Sequence, residues 1–171
     1  KRFEGSKHRN TDLEILKAAI RAQLEKLIRL NRTRVDYLDK FEKLVEGYNN
    51  GSRSIEEMLE ELLKLTGSLS VEQQRHVREH ISEEELTVFD ILTRPGPKLS
   101  TEEREEVKKV ARQVLARLKS LLALDWRRQT QARAKVRLTI EDTLDSGLPR
   151  PYTPEIYQTK CSALFEHVYE N

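Results

Sequence analysis

The stretch STEEREEVKKVARQVLARLKSLL, residues 100–122, decides the fold. Ser100 is a helix cap, and the acids of Thr101–Glu105 fill the first turn, where the helix dipole favours negative charge. Behind them Val107, Val110, Val114, Leu118 and Leu121 recur at three- and four-residue steps, the period of a helix with one buried face. The same grammar repeats in both directions. Towards the N-terminus, Thr11 and Glu14 fit a capping box before Leu13, Leu16, Ile20, Leu24 and Leu27. NRT breaks that helix, and a second follows from about Arg34 to Tyr48, with Leu38, Phe41, Leu44 and Val45 inward, ended by NNGS. Ser54 with Glu57 opens a third, burying Ile55, Met58, Leu59, Leu62 and Leu63, with GSLS at 67–70 expected to turn or kink. A polar helix over VEQQRHVREH follows. Ser82 with Glu85 then starts a short one carrying Leu86, Phe89 and Leu92, stopped by RPGPK. Near the C-terminus Thr153 caps a helix with Pro154 at its first position and Tyr157, Cys161, Leu164 and Val168 inward. The spacing predicts an all-α multi-helix bundle of about six to eight amphipathic helices.

Composition agrees. Hydrophobic residues are 37% and charged residues 35% of 171, with six glycines and five prolines, a balance suited to long helices. No apolar run is long enough to span a membrane, and no secretory segment is visible. The lone Cys161 excludes an internal disulfide and fits a reducing cytoplasm. KRFEG at the start, without an initiator Met, reads as part of a longer polypeptide. Residues 1–51 carry 12 bases and 8 acids, residues 52–105 carry 7 and 13, and residues 106–171 carry 12 and 8. An acidic middle between mildly basic ends disfavours uniform phosphate binding.

Motifs that could carry chemistry are few. No glycine belongs to a phosphate-cradling loop, so ATP binding of the P-loop kind is not expected. His76-Val77-Arg78-Glu79-His80 matches the inverted zinc-peptidase pattern, since histidines four apart share a helix face. A third ligand is missing, and a polar helix surface is the preferred reading. Cys161 and His167, six residues apart, face different ways and make no nucleophile–base pair. The acids at 83–85 and 102–103 lie in helix first turns, where the dipole accounts for them.

The segment LDWRRQTQARAKVRLTIEDTL, residues 124–144, is different. From Trp126 to Leu138 it holds five cations, Arg127, Arg128, Arg133, Lys135 and Arg137, no acid, and the only tryptophan. Read as one helix, it places Trp126, Arg133, Arg137, Ile140 and Leu144 on one side, with Arg128 and Lys135 opposite. Three readings stay open. The arginines edge the domain's own core, or the Trp–Arg surface anchors another protein, or Arg128 and Lys135 meet phosphates.

The runs EEELTVFDILTRP, EREEVKKVARQVLARLKSLLALDWRRQTQARAKVRLTIEDTL and PYTPEIYQTKCSALFEHVY resemble the C-terminal helical region of the restriction (motor) subunit of type I restriction–modification enzymes. RLNRTRVDYLDKFEKLVEGYNNGS is similar to the segment before it, so the likeness covers the chain from about residue 12. Its more specific parts are Asp125-Trp126, Arg133-Ala134-x-Val136-Arg137, and Tyr152, Tyr157, Lys160-Cys161 and His167-Val168-Tyr169. The resemblance implies that the PD-(D/E)xK nuclease and the ATP- and magnesium-dependent DNA motor lie elsewhere in the subunit. No catalytic, cofactor or metal residue carries over to this chain. It further implies partners, the modification (methyltransferase) and specificity subunits, with weak duplex DNA contact as an alternative. Trp126, Arg133, Arg137, Arg128 and Lys135 are the interface candidates, within a partner-facing segment from Asp125 to Tyr169. The chain is expected to divide into a helical arm or spacer over 1–51, with 1–10 a loose terminus, and an assembly domain over 52–171.

Overall fold

In the computed structural model the described residues are 2–123 and 125–171, with side chains from residue 8 onwards. Among them are eight α-helices, two short 3₁₀ turns and no strand. The chain forms two compact units, Lys1–His80 and Ile81–Asn171.

The first unit contains α1 (Arg2–Leu30), α2 (Val35–Asn49), α3 (Ile55–Gln73) and the single turn α4 (Arg75–Arg78). Leu13, Ile20, Leu24 and Leu27 of α1, Phe41 of α2, and Met58, Leu62, Leu65 and Leu69 of α3 form one buried core. This moves the expected junction from residue 51 to the boundary after His80. The cause is the apolar stripe of α3, which has its burial partners on α1 and α2. Three local expectations change for related reasons. The helix runs on from Arg2, so residues 2–10 are helical and Thr11 is an interior residue rather than a cap. Lys1, the first residue of that expected loose terminus, lies outside the described residues. An Arg9–Glu56 ion pair at 2.6 Å ties this extension to the start of α3. Gly67–Ser70 stays helical because Leu65 and Leu69 continue the inward stripe at a four-residue step, while Leu63, next to buried Leu62, points to solvent. Ser54 and Glu57 do form the reciprocal cap.

One feature of this unit has no counterpart in the hydrophobic pattern. Arg34, 1% exposed, donates from Nε to Glu72 Oε1 at 3.0 Å and from Nη1 to the Leu27 carbonyl at 3.2 Å. Arg75 adds Nη2 to Glu72 Oε1 at 2.9 Å, and Tyr37 donates its hydroxyl to Oε2 at 3.5 Å. Burial would raise the Glu72 carboxyl, but the hydrogen bonds from Arg75 and Arg34 outweigh it and hold the group below its ordinary value. The break at Asn31 makes this possible. Asn31 caps the turn Arg32–Arg34 by accepting from the Thr33 amide, and the turn delivers Arg34 inward.

The second unit contains α5 (Glu83–Thr93), α6 (Thr101–Lys119), α7 (Thr130–Gly147) and α8 (Pro154–Glu170). Ser82, Ser100 and Thr153 each accept from the third following backbone amide, as their spacing predicts. Leu86, Phe89 and Leu92 of α5, Val107, Val110, Val114 and Leu118 of α6, Val136, Ile140 and Leu144 of α7, and Cys161, Leu164 and Val168 of α8 share the core. Two tyrosines fasten it, Tyr152 donating to the Leu92 carbonyl and Tyr157 to the Glu141 carbonyl, both at 2.8 Å. Burial pushes the Tyr152 phenol up to about 12, so it remains a donor across the working pH range. At the end of α7, Gly147 lies against α6, where an added Cβ would collide with Val110.

Candidate protein-docking surface

Trp126 is not on the helix that its sequence context suggests. It opens a 3₁₀ turn, Trp126–Arg128, and α7 begins only at Thr130, after Gln129 in extended conformation. Leu124, where the expected helix starts, lies outside the described residues. Projecting the whole segment on one helical wheel still puts Trp126 on the side of Ile140 and Leu144, with which it shares a core, but it puts the exposed Arg137 there too. The indole folds into the second unit's core at 3% exposure, edge-on to Phe165 (6.3 Å, 87°) and to Tyr169 (5.9 Å, 85°). An indole so enclosed is a packing residue and offers no surface to a partner, which corrects its place among the interface candidates.

The five cations sort by what they touch. Arg127 lies 5.1 Å from the Trp126 ring centroid and donates to the Tyr169 carbonyl, with a second donation to the Val168 carbonyl at 3.5 Å. It thus serves the unpaired carbonyls at the C-terminal end of α8, where a positive charge also suits the dipole. Arg133 donates to the Arg127 carbonyl at 2.9 Å and to Thr130 Oγ1 at 3.4 Å, bracing the turn before α7. These two are fasteners. Arg128, Lys135 and Arg137 are exposed, and none pairs with an acid among the described residues.

Arg137 is nevertheless held. Its guanidinium carbon stands 4.5 Å over the Phe165 ring, a cation–π contact. It borders a cleft of about 410 Å³ between α7 and α8, lined also by Glu141, Tyr157, Gln158, Cys161, Ser162 and Phe165. Leu138, 55% exposed, and Tyr169 add apolar area on the same two helices. The rings of Phe165 and Tyr169 stack at 6.1 Å, so the aromatic floor is rigid. A stacked arginine, a further cation at each of Arg128 and Lys135, and exposed aliphatic and aromatic groups suit a protein partner.

Other sequence candidates do not assemble into a reactive centre. The helix α4 ends at Arg78, and His80 has φ +58, so His76 and His80 do not share a helical face. Among the described residues no group of three His, Cys, Asp or Glu side chains could hold a metal ion. Burial raises the Cys161 thiol, which keeps it protonated, and it lies on the inward stripe of α8 as its spacing predicts. Lys160 is only 4% exposed, and burial lowers its amine. Neither Lys160 nor Arg34 was expected inside, because a charged side chain is assigned to the surface by default. No described helix is long and apolar enough to cross a membrane.

Residues 1–170 match the model of a family described as type I restriction enzyme HindI endonuclease subunit-like, C-terminal. No curated protein and no solved structure matches the chain.

Proposed function

We propose a docking function for this chain, which belongs to the C-terminal family of type I restriction enzyme HindI endonuclease subunit-like proteins. The chain is a non-catalytic helical module that attaches the endonuclease and translocase parts of its subunit to the methyltransferase core of modification and specificity subunits. On this reading ATP and magnesium are held elsewhere in the subunit, and this chain transmits mechanical load. The observation that supports it is the sorting of cations on the second unit. Arg127 and Arg133 are used up by backbone carbonyls, while Arg128, Lys135 and Arg137 stand exposed beside Leu138 and Tyr169. Charges left over after the fold is satisfied are available to a partner.

Calorimetric titration of the chain into an assembled methyltransferase complex tests this. Saturable one-to-one binding is expected, and absence of binding at about 50 µM, an interaction weaker than about 6 kcal/mol, would remove the docking role. A rival assignment, contact with duplex DNA, predicts affinity for nonspecific DNA that falls steeply between two salt concentrations. The docking reading expects no such DNA affinity of comparable strength.

A further inference from the structure

We infer that the cleft between α7 and α8 receives an acidic side chain of the methyltransferase core, with Arg137 as the group that grips it. This rests on the docking function proposed above and adds the chemistry of the contact.

Four observations carry it. The Arg137 guanidinium carbon lies 4.5 Å from the Phe165 ring centroid, a cation–π contact that restrains the side chain before a partner arrives. No acid among the described residues occupies its donor edge. Glu141, one turn on, lines the same cleft without forming an ion pair with it. The opposite wall brings Gln158 and Ser162, whose amide and hydroxyl make no hydrogen bond within the described residues. The cleft therefore offers a planar fork and two neutral donors, with the Tyr157 hydroxyl already committed to the Glu141 carbonyl. Two parallel N–H donors match a carboxylate, and the neighbouring amide and hydroxyl can serve its remaining lone pairs. The surroundings point the same way, since the run from Trp126 to Leu138 holds five cations and no acid. A basic partner residue would meet Arg137 as a like charge. A purely apolar one would strip water from a guanidinium and give nothing back. Glu141 and Asp145, whose charges act on the lining Tyr157 and Cys161, oppose an acidic guest, and Glu141, which itself lines the cleft, is the useful probe.

The test is calorimetric titration of the full 171-residue chain and its variants into the methyltransferase complex, with a melting curve of each variant alongside. Arg137→Ala should weaken binding about tenfold and Arg137→Glu about a hundredfold, both with melting unchanged. Arg137→Lys should recover only part of the loss, because a point charge does not reproduce the fork. Glu141→Gln should tighten binding about two- to fivefold by removing the like charge beside the guest. Wild-type affinity in Arg137→Glu, or weaker binding in Glu141→Gln, would overturn the acidic-guest assignment while leaving docking intact. Failure of the unaltered chain to bind would instead overturn the docking function, and this assignment with it. Loss in Arg137→Glu of a salt-steep affinity for nonspecific duplex DNA, with methyltransferase binding untouched, would assign the arginine to phosphate and refute the proposal.

Discussion

Arg34 of the first unit and Arg137 of the second stand in opposite surroundings. In the first, Arg34 is drawn inside, where it donates to Glu72 and to the Leu27 carbonyl, and Arg75 donates to the same carboxylate. In the second, Arg127 lies over the buried Trp126 ring and donates to the end of α8, while Arg137 lies over Phe165 and stays exposed. A buried ion network contributes registry, because each partner left alone would be an uncompensated charge. A stacked surface arginine contributes little to stability but stays available. The first unit thus buries an arginine–glutamate network, whereas the second leaves Arg128, Lys135 and Arg137 exposed with no acidic partner among the described residues.

The sharpest way to break the comparison is to remove one member from each. Glu72→Ala leaves Arg34 buried without its carboxylate and should cost about 3–5 kcal/mol. Hydrogen exchange should show the loss concentrated in α1–α3, and protection equal to the unaltered chain would deny the network its role. The pH dependence has a definite sign. The folded Glu72 carboxyl lies below its ordinary 4.5, so its contribution is complete above that value and fades as pH falls through the lower folded one. An acid titration of α3 protection in the unaltered chain, absent in Glu72→Gln, checks it. Trp126→Ala should cost about 3–5 kcal/mol through the cavity left between Phe165 and Tyr169, with the loss concentrated in α7 and α8. A melting curve that barely moves would return Trp126 to the surface candidates.

The smallest stability effect is expected at Lys160, and it has the opposite direction. Burial lowers the amine below its ordinary 10.5, so the unfolded chain binds the proton more tightly and stability rises with pH in the window beneath that value. Lys160→Met should therefore stabilise by about 1 kcal/mol near neutral pH and flatten that slope in a pH-resolved melt. Destabilisation would mean that the ammonium has a compensating role.

The helices were legible because capping and periodicity are local. Ser54, Ser82, Ser100 and Thr153 all cap where their spacing predicts, and the inward stripes of α6 and α8 match residue for residue at Val107, Val110, Val114, Leu118, Cys161, Leu164 and Val168. What failed was not local. The stripe of α3 announces that it is buried but not on which helices, so the junction was placed at NNGS rather than after His80. The wheel through Trp126 assumes an unbroken helix where the structure has a short turn before Thr130, and although Trp126 does join Ile140 and Leu144 in the core, Arg137 on the same side of that wheel is exposed. Arg34 carried one usable signal, a basic residue closing the short turn after the Asn31 break, with Glu72 and Arg75 spaced three apart. Of the interface candidates, Arg128, Lys135 and Arg137 are exposed.

The most direct measurement of the central claim is a titration of the Arg128→Glu, Lys135→Glu, Arg137→Glu triple variant into the methyltransferase complex, paired with its melting temperature. The account predicts melting within about 3 °C of the unaltered chain and binding lost. Undiminished binding, or a collapse of the fold that accounts for its loss, would contradict it.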